Sequence, residues 1–321
     1  MLKIVLSRIL QAFVVILLLS AATYGLLGLM PGDPVDLMVT SDPDITAEDV
    51  ARLKQLHGLD QPLHLRYLAW LEGAVQGELG YSRLYNQPVL DIVAQRLPRT
   101  LLLIGLSIVI ALAISLPAAL HAAKNPGSLT DRTINLVCFA GISTPAFWFA
   151  LLVIMLFAVT LGWLPAGGMP TAEEAGFLEQ ARHLALPVLT LSIGSIAGYT
   201  RHLRASLIEA LQEDFIRTAR AKGLSETVVR RRHALRNALL PVVTLLGLDL
   251  GGLVSGALIT ETMFAQLGMG KTIYDAVMGN DYNLALVGLL TVATATLLGS
   301  LLADLAYSKL DPRISYGGGR S

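Results

Sequence analysis

Cysteine is nearly absent from this chain: Cys138 is the single one among 321 residues. It lies in an apolar run, so no intrachain disulfide can form and the redox compartment leaves no mark. Charge is scarce too, at 15% of residues, where a soluble domain carries about a quarter. The histidines are His57, His64, His121, His183, His202 and His233. No pair of them has the i, i+4 spacing of a zinc-binding H-E-x-x-H helix, and no cysteine cluster accompanies them, so no metal site is expected. No G-x-S-x-G nucleophile elbow is present. Residues 265–272, AQLGMGKT, end like a phosphate-binding loop, but Ala265 stands where the first glycine belongs and no strand precedes it. No catalytic residue and no cofactor is therefore expected in this chain.

What is present is apolar. Hydrophobic residues make up 54% of the chain, gathered into runs of about twenty that are long enough to cross a bilayer. Six spans are predicted, over residues 9–30, 100–122, 134–162, 184–199, 239–262 and 284–307, which makes this an all-α polytopic membrane protein. An even number of spans puts both termini on one side. One set of loops then holds sixteen Lys and Arg, among them Lys3, Arg8, Lys124, Arg132 and Lys309, and the other set holds eight. The positive-inside bias assigns the richer set, and both termini, to the cytoplasm. The fourth span is the least regular, interrupted by His183, Pro187, Gly194 and Gly198 and ended by Arg201. Apolar character near the start continues to Met30, longer than a signal-peptide core needs, so the first run is read as a retained span.

The chain divides accordingly. Residues 1–30 form a cytoplasmic N-terminus and the first span. Residues 31–99 form an outer helical segment, and 100–307 a membrane core that includes a cytoplasmic loop at 201–239. Residues 308–321 form a cytoplasmic tail. In the outer segment, Thr46 with Asp49 reads as a helix start and Gly58 as its stop. A second helix over 62–79 places Leu65, Leu68, Leu71 and Val75 on one face, suited to the bilayer surface or to packing on the spans. Pro88 is placed to open a third, short helix.

Three acids fall in or beside apolar runs. Asp304 is near an inner boundary and reads as structural. Glu261 is near an outer boundary, where water reaches it. Asp249 is deeper, among Gly247, Gly251 and Gly252, and is a candidate for the wall of a polar path.

The basic stretch 213–241 carries Arg217, Arg220, Lys222, Arg230, Arg231, Arg232 and Arg236. Lipid binding, nucleic-acid binding and protein docking compete to explain it. The detail favours docking. Residues 209–221 lack Gly and Pro and read as a helix, Gly223 ends it, and Ser225 can cap a second one. Phe215, Ala219 and Leu224 supply an apolar knob in a charged surround, as a groove-filling helix needs.

At this point the residues resemble a known family. RTARAKGL…RHALRNALLP is similar to the EAA loop of permease subunits of ATP-binding cassette importers, in the branch that carries peptides and nickel. Arg217-Thr218-Ala219 stands where the general pattern has Glu-Ala-Ala, before Gly223. LMPGDPVDLM at 29–38, HGLDQPLHLRYLAWL at 57–71, GELGYS at 77–82, GISTPAFWFALLV at 141–153, LGWLPAGG at 161–168 and LDPRI at 310–314 resemble the first of two permeases in such systems.

The resemblance implies a type I importer permease fold in a bacterial inner membrane. It implies a second, homologous permease, two cytoplasmic subunits that bind ATP and Mg, and an extracytoplasmic solute-binding protein. It also implies that Arg217, Thr218, Ala219, Arg220, Gly223 and Leu224 couple to the ATPase. Asp249 remains a candidate for the path, and Gln266, Met269 and Lys271 are candidates for contact with the binding protein. The rival readings are an ion-coupled secondary transporter using Asp249, a membrane enzyme and a structural scaffold.

Overall fold

A computed structural model describes residues 2–29, 52, 61–170 and 176–310. Apart from residue 52, the expected helix from Thr46 to Gly58 lies outside the described residues, as does the tail beyond residue 310. The chain forms two compact units, residues 1–98 with 271–295, and residues 99–270 with 296–321.

The first unit opens with α1 (Leu2–Gly28), a 27-residue helix. At 1.5 Å per residue it is about 40 Å long, enough to span a bilayer. Most of its large apolar side chains, Leu10, Phe13 and Leu18 among them, are exposed and so suited to lipid. Helix α2 (Leu63–Val75) packs on α1. Ser20 Oγ and the Tyr67 hydroxyl share a hydrogen bond of 2.8 Å, and Tyr24, Tyr67 and Trp70 form an aromatic cluster. The expected apolar face is on the other side: Leu65, Leu68 and Val75 are exposed. The helix also stops at Val75 rather than Leu79, because Gly77 and Gly80 adopt left-handed φ values of +88° and +84°.

A two-stranded hairpin follows, β1 (Tyr81–Ser82) with β2 (Gln87–Pro88), the only strands among the described residues. Pro88 closes this hairpin and opens no short helix. The next element is one continuous helix, α3 (Val89–Ala122). Asp281 secures the hairpin within this unit. Its Oδ2 accepts from Ser82 Oγ at 2.5 Å and Leu84 N–H at 3.0 Å, and its Oδ1 accepts from Leu284 N–H at 3.2 Å.

In the second unit the predicted third span is broken. Helix α4 (Leu129–Ser143) and helix α5 (Ala146–Val153, continued as a π-helix to Thr160) meet at 105°. The cause is local: Pro145 supplies no N–H, and the residue before a proline is driven from helical geometry, as Thr144 is at φ −86°, ψ 121°. Helix α6 (Phe177–Ala210) is unbroken. It passes through Pro187 and does not end at Arg201; it continues nine residues further, to Ala210. Helix α7 (Asp214–Ala221) follows, then α8 (Glu226–Val228), a π-helical stretch Val229–Ala234, α9 (Leu235–Ala238), α10 (Leu240–Met263), α11 (Met269–Met278) and α12 (Tyr282–Leu310).

Four helices are long and apolar enough to cross a membrane, α1, α3, α6 and α12, and a fifth crossing results if the bent α4–α5 pair counts as one span. The expected count of six is thus not met by length and composition among the described residues. Helix α10, where the fifth predicted span falls, includes positions 248 and 250–256, whose side chains are not described.

Candidate functional site

The basic loop folds into a bent elbow. Glu213 occupies the N-cap position of α7 with extended backbone. Asp214 in the first turn and Arg220 in the last complement the helix dipole. The helix stops at Gly223, at φ +77°. Leu224 N–H donates to the Ala219 carbonyl at 3.4 Å and Gly223 N–H to the Arg220 carbonyl at 2.9 Å. This pair of bonds is the Schellman closure of a helix C-terminus. A Cβ at position 223 would meet no atom within 4 Å, so glycine is needed for its backbone conformation and not for space. Ser225 starts the next helix with extended backbone, although its side chain makes no cap bond. The carbonyl of Ser225 accepts from Val229 N–H at 3.0 Å.

The two faces of α7 differ completely. Ile216 and Ala219 are buried in a cluster with Leu203 and Leu207 of α6, Val229, Ala234, Ala238 of α9 and Val242 of α10. Ala111 and Ala119 of α3 belong to the same cluster. Ala219 is therefore an anchor and not part of the exposed knob, because it lies three residues from Ile216, on the same helical face. The outward face holds Phe215, Arg217, Thr218, Arg220, Gly223 and Leu224, all exposed, with Phe215 at 39% and Leu224 at 38%. Arg217 pairs with Asp214 at 3.1 Å. The Arg220 guanidinium donates to both carboxylate oxygens of Glu226, at 2.7 and 3.3 Å, bracing the elbow across Gly223. That hydrogen bonding holds the Glu226 carboxyl below, and the Arg220 guanidinium above, their ordinary pKa values.

Helix α4 is tied to α6 just before the elbow. Arg204 of α6 makes a bidentate contact with the buried Asp131, 2.6 Å from Nη2 to Oδ2. Asn135 and Gly127 N–H donate to the same carboxylate at 2.8 Å each. This is a fully partnered buried ion pair, which holds geometry more than it adds stability.

At the other end of α10, Glu261 is fully buried and not hydrated. Thr100 Oγ1 donates to it at 2.6 Å and accepts from Met269 N–H at 2.8 Å. The Glu261 carboxylate fills the space where a Cβ on Gly268 would lie, and a Cβ on Gly270 would come within 2.7 Å of the Leu258 backbone. The glycines of the phosphate-loop look-alike thus make room for a buried carboxylate. Among the candidates for an outer contact, Gln266 donates to the Gly168 carbonyl at 2.7 Å and Lys271 pairs with Asp275 at 2.6 Å. Met269 is fully buried, so it offers no contact surface in this conformation. Asp249 of α10 is half-buried and accepts from Ser195 Oγ at 3.4 Å.

Sequence reasoning missed Asp281 and Asp131. Asp281 had a legible signal, an acid immediately before an apolar helix. Asp131 had none, since its partner Arg204 is 73 residues away.

Several apolar helices and a basic, bent, exposed elbow describe a polytopic membrane protein with a surface suited to docking. Residues 100–316 match the binding-protein-dependent transport system inner membrane component family, and residues 1–104 match the N-terminal part of the same kind of component. The chain belongs to this family. It is 38% identical over 314 residues to the oligopeptide transport system permease protein AppB of Bacillus subtilis, covering 97% of this chain and 99% of that protein. It is 39% identical to the di/tripeptide transport system permease protein DppB of Pseudomonas aeruginosa, over 92% and 93% of the two chains. It is 36% identical to the glutathione transport system permease protein GsiC of Escherichia coli, over 98% and 100%. Among solved structures, the MetNI methionine ABC transporter in an inward-facing conformation shares the fold at a TM-score of 0.56 and 18% identity, over 70% of this chain and 98% of that one. The protein is a multi-pass membrane permease subunit of an ATP-binding cassette importer; the ion-coupled carrier reading falls.

Proposed function

We propose that this chain is the first of two homologous permeases of a peptide importer, and that its elbow is where ATP-driven motion enters the membrane. The observation that carries this is the two-faced helix α7. Its inner face is embedded among the ends of α3, α6 and α10, while Phe215 and Leu224 are held out in a ring of Arg217, Arg220 and Lys222. An exposed apolar pair with a cationic rim suits a cleft on a second protein better than water. The relatives named for oligopeptides, di/tripeptides and glutathione support peptides as the cargo class.

In this reading two cytoplasmic subunits bind ATP and Mg and close on each other. Their movement displaces the elbow, and the packed cluster passes it to the spans as a rigid shift. An extracytoplasmic binding protein delivers the peptide to the outer side, with Gln266 and Lys271 near its contact. In the same reading both termini lie in the cytoplasm, a placement that the positive-inside bias of the loops supports. Each ligand must favour one of two states, or nothing moves.

The test is Gly223→Pro together with Leu224→Asp in the assembled importer. Proline cannot reach φ +77° and lacks the N–H that Arg220 receives. The expected result is normal insertion with ATP hydrolysis no longer linked to uptake. Wild-type uptake in both variants would show that the elbow is not the docking element.

A further inference from the structure

One polar group in the second unit has no use in the coupling reading. Among the described residues the Asp249 carboxylate receives one hydrogen bond, from Ser195 at 3.4 Å, near the limit of such a bond. Tyr199, one turn along α6, is buried at 1% exposure, and its hydroxyl faces Asp249 and Ser195. Even so, that hydroxyl completes no hydrogen bond among the described residues. No Lys or Arg pairs with Asp249 among the described residues. An acid inside a membrane segment is costly and needs a partner or water. A carboxylate offers about four acceptor positions, and here one is weakly used.

Ser195 and Tyr199 lie one turn apart on the same face of α6. Three oxygens, from Asp249, Ser195 and Tyr199, are thus gathered in one place, one of them a buried phenol with no partner among the described residues.

The missing partner is a cation with several donors. An ammonium carries three N–H donors and no acceptor. It can pair with the carboxylate and donate to both hydroxyl oxygens at once. We propose that Asp249, Ser195 and Tyr199 form a receiving site for the ammonium group of the cargo, the free amino terminus of a peptide, as it passes this subunit. This rests on the peptide reading above. The same chemistry has a second source, a Lys or Arg of the neighbouring permease, since Gly194 and Gly198, four apart on α6, also suit close helix packing.

The experiment uses the complete importer in proteoliposomes, with ATP inside the coupling compartment and trialanine as the probe. Asp249→Asn keeps the shape and removes the charge. It should assemble normally and keep binding-protein-stimulated ATP hydrolysis, while trialanine delivered per ATP falls about tenfold, the weight of one charge-assisted hydrogen bond. Asp249→Glu should recover part of that loss. Tyr199→Phe removes one oxygen from a buried ring and should lower delivery per ATP by roughly threefold. Unchanged delivery per ATP in Asp249→Asn and Tyr199→Phe overturns the site. Loss of co-purification with the second permease in Asp249→Asn also overturns it, because the cation would then belong to that subunit. A wild-type importer that hydrolyses ATP but takes up no peptide brings down the peptide reading, and this site with it.

Discussion

The elbow at Gly223 and the turn at Gly268 use the same residue for opposite reasons. Gly223 has a left-handed backbone and empty surroundings. Gly268 has no left-handed φ and no room, because the Glu261 carboxylate occupies the place of a side chain. The first glycine serves conformation and leaves charged and apolar groups facing outward. The second serves volume and lets a carboxyl group be fully buried. An exposed elbow and a turn that holds its own helix ends together are thus distinguished by packing and not by composition.

The largest expected effect breaks the second half of this contrast. Gly268→Ala forces the buried Glu261 carboxylate from its place, which combines overpacking with a displaced buried acid. The loss should be several kcal/mol, about 3 or more, seen as loss of the monodisperse detergent-solubilised protein. Glu261→Gln in the same background should restore little, since the clash is steric. Ile216→Ala comes next. It hollows the inner face of α7 and should cost roughly 2–5 kcal/mol, read as a lower Tm of the purified subunit. Gly223→Ala is milder, about 1–2 kcal/mol for a left-handed alanine with no clash. Its effect should show in uptake per ATP more than in Tm.

The smallest effect concerns the brace across the elbow. Glu226 has its pKa lowered by Arg220. A depressed carboxyl contributes stability above its unfolded pKa and loses it as pH falls through the folded one. Acidification through that range should therefore loosen the elbow, measured by faster amide exchange at residues 223–228. Glu226→Gln should remove the pH dependence while leaving Tm nearly unchanged, because both partners are exposed.

Much of the elbow was legible because its signals are local. A helix run, a glycine stop and an apolar–basic alternation lie within about fifteen residues, the range over which capping and periodicity act. Which face of α7 would be buried was not legible. Phe215 and Ile216 are adjacent and equally apolar, and only the ends of α3, α6 and α10 decide that Ile216 and Ala219 go inward. The bend at Pro145 was present as the pair Thr144-Pro145, but proline is also tolerated inside a span, as Pro187 shows in α6. The outer face of α2 misled for a related reason. Its periodic leucines point away from α1, and the aromatic residues Tyr67 and Trp70 make the contact instead.

Apolar length, the sign of the loop charges and the glycine stop determined by themselves that this is a membrane-spanning helical subunit with a bent basic elbow. These properties depend on solvent preference and on backbone conformation, both of which act residue by residue. Tertiary structure alone decided that Glu261 is buried against Thr100, that Met269 is hidden, and that Arg204 reaches Asp131. Those outcomes depend on which distant group fills a given volume, and nothing in a linear order of residues states that.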